Sequence, residues 1–169
     1  RDIDSRFRFE LLGPIDADSK SAISLEQVDA WAAEGVIDYL GSSLDVRPIV
    51  AQAHCVVLPS YYREGTPRSL LEAAAMGRPI ITTDMPGCRD AIQPGISGLL
   101  CRPRDADDLA RTMLEFARLS PVARQKMGHA GRAYMERAFD EQRVIDAYRA
   151  LLSVPGAIDE IAGRTVGGA

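Results

Sequence analysis

Glu64 and Glu72 stand eight residues apart in the stretch SYYREGTPRSLLEAAAMGRPI, residues 60–80, with Gly65, Thr66 and Pro67 close behind the first acid. An ionised carboxylate accepts hydrogen bonds in pairs, which suits the vicinal hydroxyls of a ribose or hexose and repels a phosphate at close range. Gly65 lets a ligand come close to the backbone. Thr66 and Pro67 read as the cap and first position of a helix, whose free N–H groups and dipole favour a phosphate. Arg63 and Arg68 can add charge-assisted bonds to phosphate oxygens. Two acids that flank a phosphate-binding helix start match a nucleotide-sugar, with a diphosphate in the middle and a sugar ring at each end. The plainer alternative is that Glu64 complements the helix dipole and that Glu72 and the arginines are solvated. Spacing alone leaves both readings open.

The surrounding pattern says what positions these residues. Phe7 to Leu12 reads as a buried strand ending at the Gly13-Pro14 turn, and Ser24 precedes a helix over LEQVDAWAAEG that stops at Gly35. VIDYLG, residues 36–41, is a short strand; SSLDVRPIVAQAH is a loop with a short helix; CVVLPS, residues 55–60, suits a strand buried on both faces. A helix over Pro67 to Met76, a strand over Arg78 to Asp84 and a strand over Ser97 to Pro103 follow. From Asp105 onward three segments repeat apolar residues at helical spacing, the second opening at Pro121. Strands alternating with helices imply βαβ crossovers, hence an α/β fold with a parallel sheet covered by helices, and ligands bound at the carboxyl ends of the strands. Residues 1–153 are expected to form one domain and 154–169, rich in glycine, a loosely held tail.

Length and composition narrow the function. A chain of 169 residues with 46% hydrophobic and 26% charged residues fits one globular domain. A net charge of -4 argues against nucleic acid as the main partner. Three cysteines, Cys55, Cys88 and Cys101, show no CxxC spacing, so neither a disulfide framework nor a zinc site is expected, and a reducing cytoplasmic setting fits. No apolar run is long enough for a membrane span, which leaves contact with a membrane surface open. His54 and His129 read as structural, Asp84 as either a cleft residue or a turn cap, and Asp90, Asp105, Asp107 and Asp108 as turn and helix-start residues.

The ordered segments PSYYREGTPRSLLEAAAMGRPIITTDMPGCRDAI, GISGLL, FELLG, IDYLG and DVRPIVAQAHCVVLPS together resemble the C-terminal domain of family 4 glycosyltransferases. Those enzymes have the GT-B architecture, two Rossmann-like domains facing a cleft. The resemblance implies that Glu64 contacts the transferred sugar and serves catalysis by positioning it, and that Glu72 binds the ribose hydroxyls. It places Gly65, Thr66 and Pro67 where the backbone meets the donor sugar and diphosphate, with Arg68, Ser69 and Leu70 continuing into the helix. Gly41 to Val46 matches the nucleobase pocket, giving Gly41, Leu44 and Val46 as candidates there. It further implies a retaining transferase that needs no cofactor and no metal in the donor site, and a UDP-sugar in preference to a GDP-sugar. The wording around Cys88 and Arg89 is similar to bacterial transferases that build lipid-linked glycans, some of which use an N-acetylhexosamine.

Against the full family pattern, the sequence starts at Arg1 and shows neither an N-terminal acceptor domain nor the first strand and helix of the donor domain, with their diphosphate-clamping Arg and Lys. These 169 residues are therefore expected not to turn over by themselves. The expected partners are the nucleotide-sugar and the N-terminal GT-B domain, and the full-length protein is expected in the cytoplasm, with peripheral association at the inner face of a membrane open. The family's C-terminal helix crosses to the other domain, so the face from Val144 to Leu152 is expected to lie exposed. Two alternatives remain: a non-catalytic nucleotide-sugar-binding domain, and a UDP-sugar epimerase of the same architecture.

Overall fold

The computed structural model describes residues 7–16, 22–63 and 65–153. The chain forms two compact units, Arg1–Pro48 and Ile49–Ala169, and both clusters of buried apolar residues lie in the second.

The first unit pairs strand β1 (Glu10–Leu11) in parallel with β2 (Asp38–Tyr39), joined by helix α1 (Leu25–Ala33). Ser24 caps α1 through a bond from the Gln27 N–H, and Gly35, at φ 70°, ends it, both where the sequence predicts. The buried strand expected over Phe7 to Leu12 is instead a two-residue strand with both residues exposed. A two-stranded ladder has little to cover it, and Val28 is the one hydrophobic residue of α1 that is fully buried. The pairing itself runs further than the strand, from the Asp38 N–H on the Phe9 carbonyl at 2.8 Å to the Gly13 N–H on the Gly41 carbonyl at 2.8 Å. Helix α2 (Arg47–Val50) is the short helix expected before the next strand.

The second unit is built on three parallel strands in the order β3 (Val56–Leu58), β4 (Ile80–Thr83), β5 (Gly98–Cys101). Around them lie α3 (Arg68–Ala75), α4 (Ala106–Arg118), α5 (Pro121–Ala138) and α6 (Glu141–Leu152), with a 3-10 turn at Arg89–Ala91 that the sequence reading took only as a turn. Side chains alternate across the pleat, so the sheet has two apolar faces. Val56, Leu58, Ile80 and Leu100 pack with Leu70, Ala73 and Ala74 of α3 and Met135 of α5. Val57, Ile81 and Leu99 pack with Phe116 of α4 and Met127 of α5. The burial on both faces expected of the 55–60 strand belongs to β4, whose four residues are all buried, whereas β3 is only half-buried. β4 lies between two strands; β3 pairs with β4 alone among the described residues.

Gly77 ends α3 in the left-handed region at φ 68°, where the Arg78 N–H reaches back to the Ala73 carbonyl at 2.9 Å and the Gly77 N–H to Ala74 at 2.9 Å. This tight stop lets β4 begin at once and lets α5 lie directly against it. A Cβ on Gly128 of α5 would stand 2.0 Å from the Gly77 carbonyl oxygen, so the two backbones touch. Among the described residues no helix is long and apolar enough to cross a membrane. The expected tail, 154–169, lies outside the described residues.

Candidate functional site

Leaving β3, the chain passes Pro59 and Ser60 and runs toward α3 over the carboxyl ends of the strands. Two buried threonines of β4 fix this exit: the Thr82 hydroxyl donates to the Leu58 carbonyl at 2.8 Å, and the Thr83 hydroxyl donates to the Ser60 carbonyl. The sequence reading missed both; their signal was a pair of hydroxyls ending a β-branched run otherwise made of isoleucine.

Of the candidate residues, Glu64 lies outside the described residues. Gly65 is exposed, and a Cβ added there would meet nothing within 4 Å, so its face is open. The expected cap is corrected: Pro67, extended at φ -60° and ψ 130°, is the residue before the first turn, the helix begins at Arg68, and no side chain caps it. Thr66 thus sits one position too early for its hydroxyl to reach the first turn. Leu70 and Leu71 donate their N–H groups to the Pro67 carbonyl at 3.0 and 3.2 Å, which leaves the Arg68 and Ser69 N–H groups without a partner among the described residues. An uncapped helix start with open N–H groups attracts an anion through both hydrogen bonding and the dipole.

Glu72 is held by Arg68, whose Nε donates to Oε1 at 2.8 Å, one turn back along α3. Its second oxygen, Oε2, has no partner among the described residues, so it can still accept a hydroxyl. Ser69 is exposed, while Leu70 is fully buried in the core and offers a ligand only its backbone. Gly65, Thr66, Pro67, Arg68, Ser69 and Glu72 are therefore contiguous in the second unit. Gly41, Leu44 and Val46 belong to the first: Gly41 sits at φ 68°, Leu44 is fully exposed and Val46 half-buried, beside the Asp45 carboxylate paired with Arg47 at 2.7 Å. Among the described residues no His, Cys, Asp or Glu cluster converges as a metal site.

A cavity of about 330 Å³ opens beside this loop, lined by Tyr61, Thr83, Cys101, Arg102 and Arg104 among others. Tyr61 stacks on Tyr62 with centroids 4.4 Å apart, and the Arg104 guanidinium lies 4.3 Å from the Tyr61 centroid. Behind the cavity, Asp105 caps α4 by accepting the Asp108 N–H at 2.9 Å. Buried Asp108 accepts from Arg111 Nη2 at 2.6 Å and from the Arg102 N–H at 2.7 Å, and these bonds, Arg111 first, hold its carboxyl below the usual range. Burial pushes the Cys55 thiol up to about 12, so it stays protonated at neutral pH. Asp84, at the end of β4, pairs with Arg89 at 3.0 Å.

Over 102 residues the chain is 37% identical to the N,N'-diacetylbacillosaminyl-diphospho-undecaprenol alpha-1,3-N-acetylgalactosaminyltransferase of Campylobacter jejuni, a match covering 60% of this chain and 26% of that enzyme. The fold of this chain is similar to that of a glycosyltransferase from Rickettsia africae, at TM-score 0.74 and 20% identity over 87% of this chain and 40% of the other. It is shared also with Anabaena HepE, solved with UDP-glucose, at TM-score 0.71 and 17% identity over 85% of this chain and 41% of HepE. The parallel sheet with helices on both faces is thus the Rossmann-like fold of a GT-B domain. The sequence profile of one family, glycosyl transferases group 1, matches residues 1–118, and the chain belongs to that family.

Proposed function

We propose that this chain is the donor-binding part of a retaining glycosyltransferase that moves a hexose or N-acetylhexosamine from a UDP-sugar to a glycan or lipid-linked acceptor. One observation carries the reading: an α3 start with no side-chain cap, whose Arg68 and Ser69 N–H groups have no partner among the described residues, lies between the open face of Gly65 and a Glu72 Oε2 that likewise has none there. The diphosphate takes the N–H groups, the ribose hydroxyls take Glu72, and Glu64 positions the sugar. As the sugar leaves, charge grows on the diphosphate, and fixed N–H donors stabilise it without reorganising. No metal is called for in this scheme. A lipid-linked acceptor is supported by the undecaprenol-linked substrate in the Campylobacter relative's name. Peripheral attachment of the whole protein to a membrane, on its inner face, follows from such an acceptor. The chain spans 26% of that relative, so transfer itself is expected to need the rest of the protein, and these residues alone are expected to bind donor without turnover.

The test is an amide NMR titration of the chain with UDP, GDP and UDP-N-acetylhexosamines at millimolar concentration, repeated on Glu72→Gln. UDP compounds are expected to shift resonances of Gly65 to Glu72 and of Gly41 to Val46. Glu72→Gln is expected to bind about tenfold more weakly, the scale of one charged hydrogen bond. Shifts confined elsewhere, or none with any nucleotide, would overturn the donor reading.

A further inference from the structure

Tyr61 touches two groups. The Tyr62 ring stacks on it at 4.4 Å with an interplanar angle of 28°, the two hydroxyls bonding at 3.1 Å, and the Arg104 guanidinium lies over it at 4.3 Å. Tyr61 is thus the ring that both Tyr62 and Arg104 contact. A guanidinium over an aromatic face at this distance is held by the ring's quadrupole.

Arg104 reaches the stack from the connection between β5 and α4, and its backbone is unusual. Its φ is 59°, the one positive value among the described residues that are not glycine. In this conformation a Cβ crowds the following carbonyl, and glycine would fit freely. Retaining a side chain there points to a use for it. Its neighbour Arg102 is engaged by Asp105 at 3.0 Å, whereas Arg104 has no carboxylate within ion-pair distance among the described residues. Among the described residues, the contact with Tyr61 is what engages the Arg104 guanidinium. It ties the β5–α4 connection to the segment that leaves β3, a segment already pinned at Ser60 by the Thr83 hydroxyl.

We infer that Tyr61 and Arg104 are positioning residues for the donor loop: their stack fixes where the chain enters the stretch from Gly65 to Arg68, and so sets the aim of the open N–H groups at the diphosphate. The inference rests on the donor reading above. It differs from a plain packing role in one respect. Removing the Arg104 side chain relieves its backbone, so the fold should hold while the loop loosens.

The experiment compares the chain with Arg104→Gly, Arg104→Lys and the double variant Arg104→Gly with Tyr61→Leu. It measures melting, amide hydrogen exchange from Gly65 to Ser69 without ligand, and the Kd for a UDP-hexose. Arg104→Gly is expected to melt no lower than the parent, to exchange faster in that stretch and to bind about two- to fivefold more weakly, the scale of an exposed cation–π contact. Arg104→Lys, which keeps a cation over the ring, is expected to restore most of both properties. The double variant, which also removes the Tyr61–Tyr62 stack, is expected to bind no more tightly than Arg104→Gly, and tighter binding would overturn the inference. Unchanged loop exchange in Arg104→Gly overturns the inference and leaves the donor reading standing, and so does a loss of affinity that merely follows a lower melting point. If the parent chain binds no nucleotide-sugar, the donor reading falls and takes the functional half of the inference with it, while the exchange data still decide whether the stack holds the loop.

Discussion

Asp108 and Glu72 are both acids on helices paired with an arginine, yet they bear different weights. Glu72 and its partner Arg68 keep 37% and 90% of their side-chain surface exposed, so their ion pair is screened and contributes little to stability. That leaves Glu72 free to exchange a protein partner for a ligand. Asp108 is only 6% exposed and accepts bonds from Arg111 and the Arg102 N–H, which favour its charged form. Its folded pKa lies below the ordinary 3.8, so the stability it adds is fully present above that value and is lost as pH falls through the folded one. Asp108→Asn is therefore expected to melt below the parent at pH 7, with the gap narrowing under pH 4, in thermal scans across pH. A gap that does not change with pH would refute that account. The sequence could propose Glu64, Glu72 and Gly65 together because their spacing along the chain suggests it, and Glu64 lies outside the described residues. It could not single out Asp108 from Asp105 and Asp107, since the distinction depends on Arg102 and Arg111 converging in space.

The α3–α5 contact shows what the elements need from each other. A Cβ on Gly128 would meet the Gly77 oxygen at 2.0 Å and the Pro79 ring at 3.3 Å, and a backbone oxygen cannot swing aside as a side chain can. Alanine favours a helix interior over glycine by about 1 kcal/mol, but overpacking costs roughly 1–3 kcal/mol and more when backbone must shift. Gly128→Ala is thus expected to lower the melting point on thermal denaturation followed by circular dichroism. A variant as stable as the parent would mean that the helices are not this close. Element order was legible for local reasons: Ser24, Asp105 and Ser120 cap their helices, and Pro121 opens one. Thr66 misled because Pro67 takes the extended conformation and becomes the boundary itself. The short strands misled because burial on both faces depends on having a neighbour on each side, a property of sheet order that no single run of residues records.

At the scale of the whole molecule, α6 is exposed along its length, as expected from the resemblance. Val144, Tyr148 and Leu151 recur on one face at 57%, 63% and 58% exposure, and beside them an apolar groove of about 380 Å³ runs to Phe139 at the end of α5. An apolar face of this kind drives association. The chain is expected to show a sedimentation coefficient that rises with concentration, and Tyr148→Glu with Leu151→Glu to abolish the rise; a concentration-independent monomer would count against it. The contact of α5 with α3 bears also on the order in which the protein is made. Synthesis releases β3, α3 and β4 first, but Leu70, Ala73 and Ala74 are covered in part by Met135, and the close seat at Gly77 by Gly128. Contacts so distant along the chain form late, and until they form the apolar surface they cover stands open. A nascent chain of this protein must therefore wait for residues 121–138 to leave the ribosome before its central sheet is closed, with α3 exposed to chaperones in the meantime.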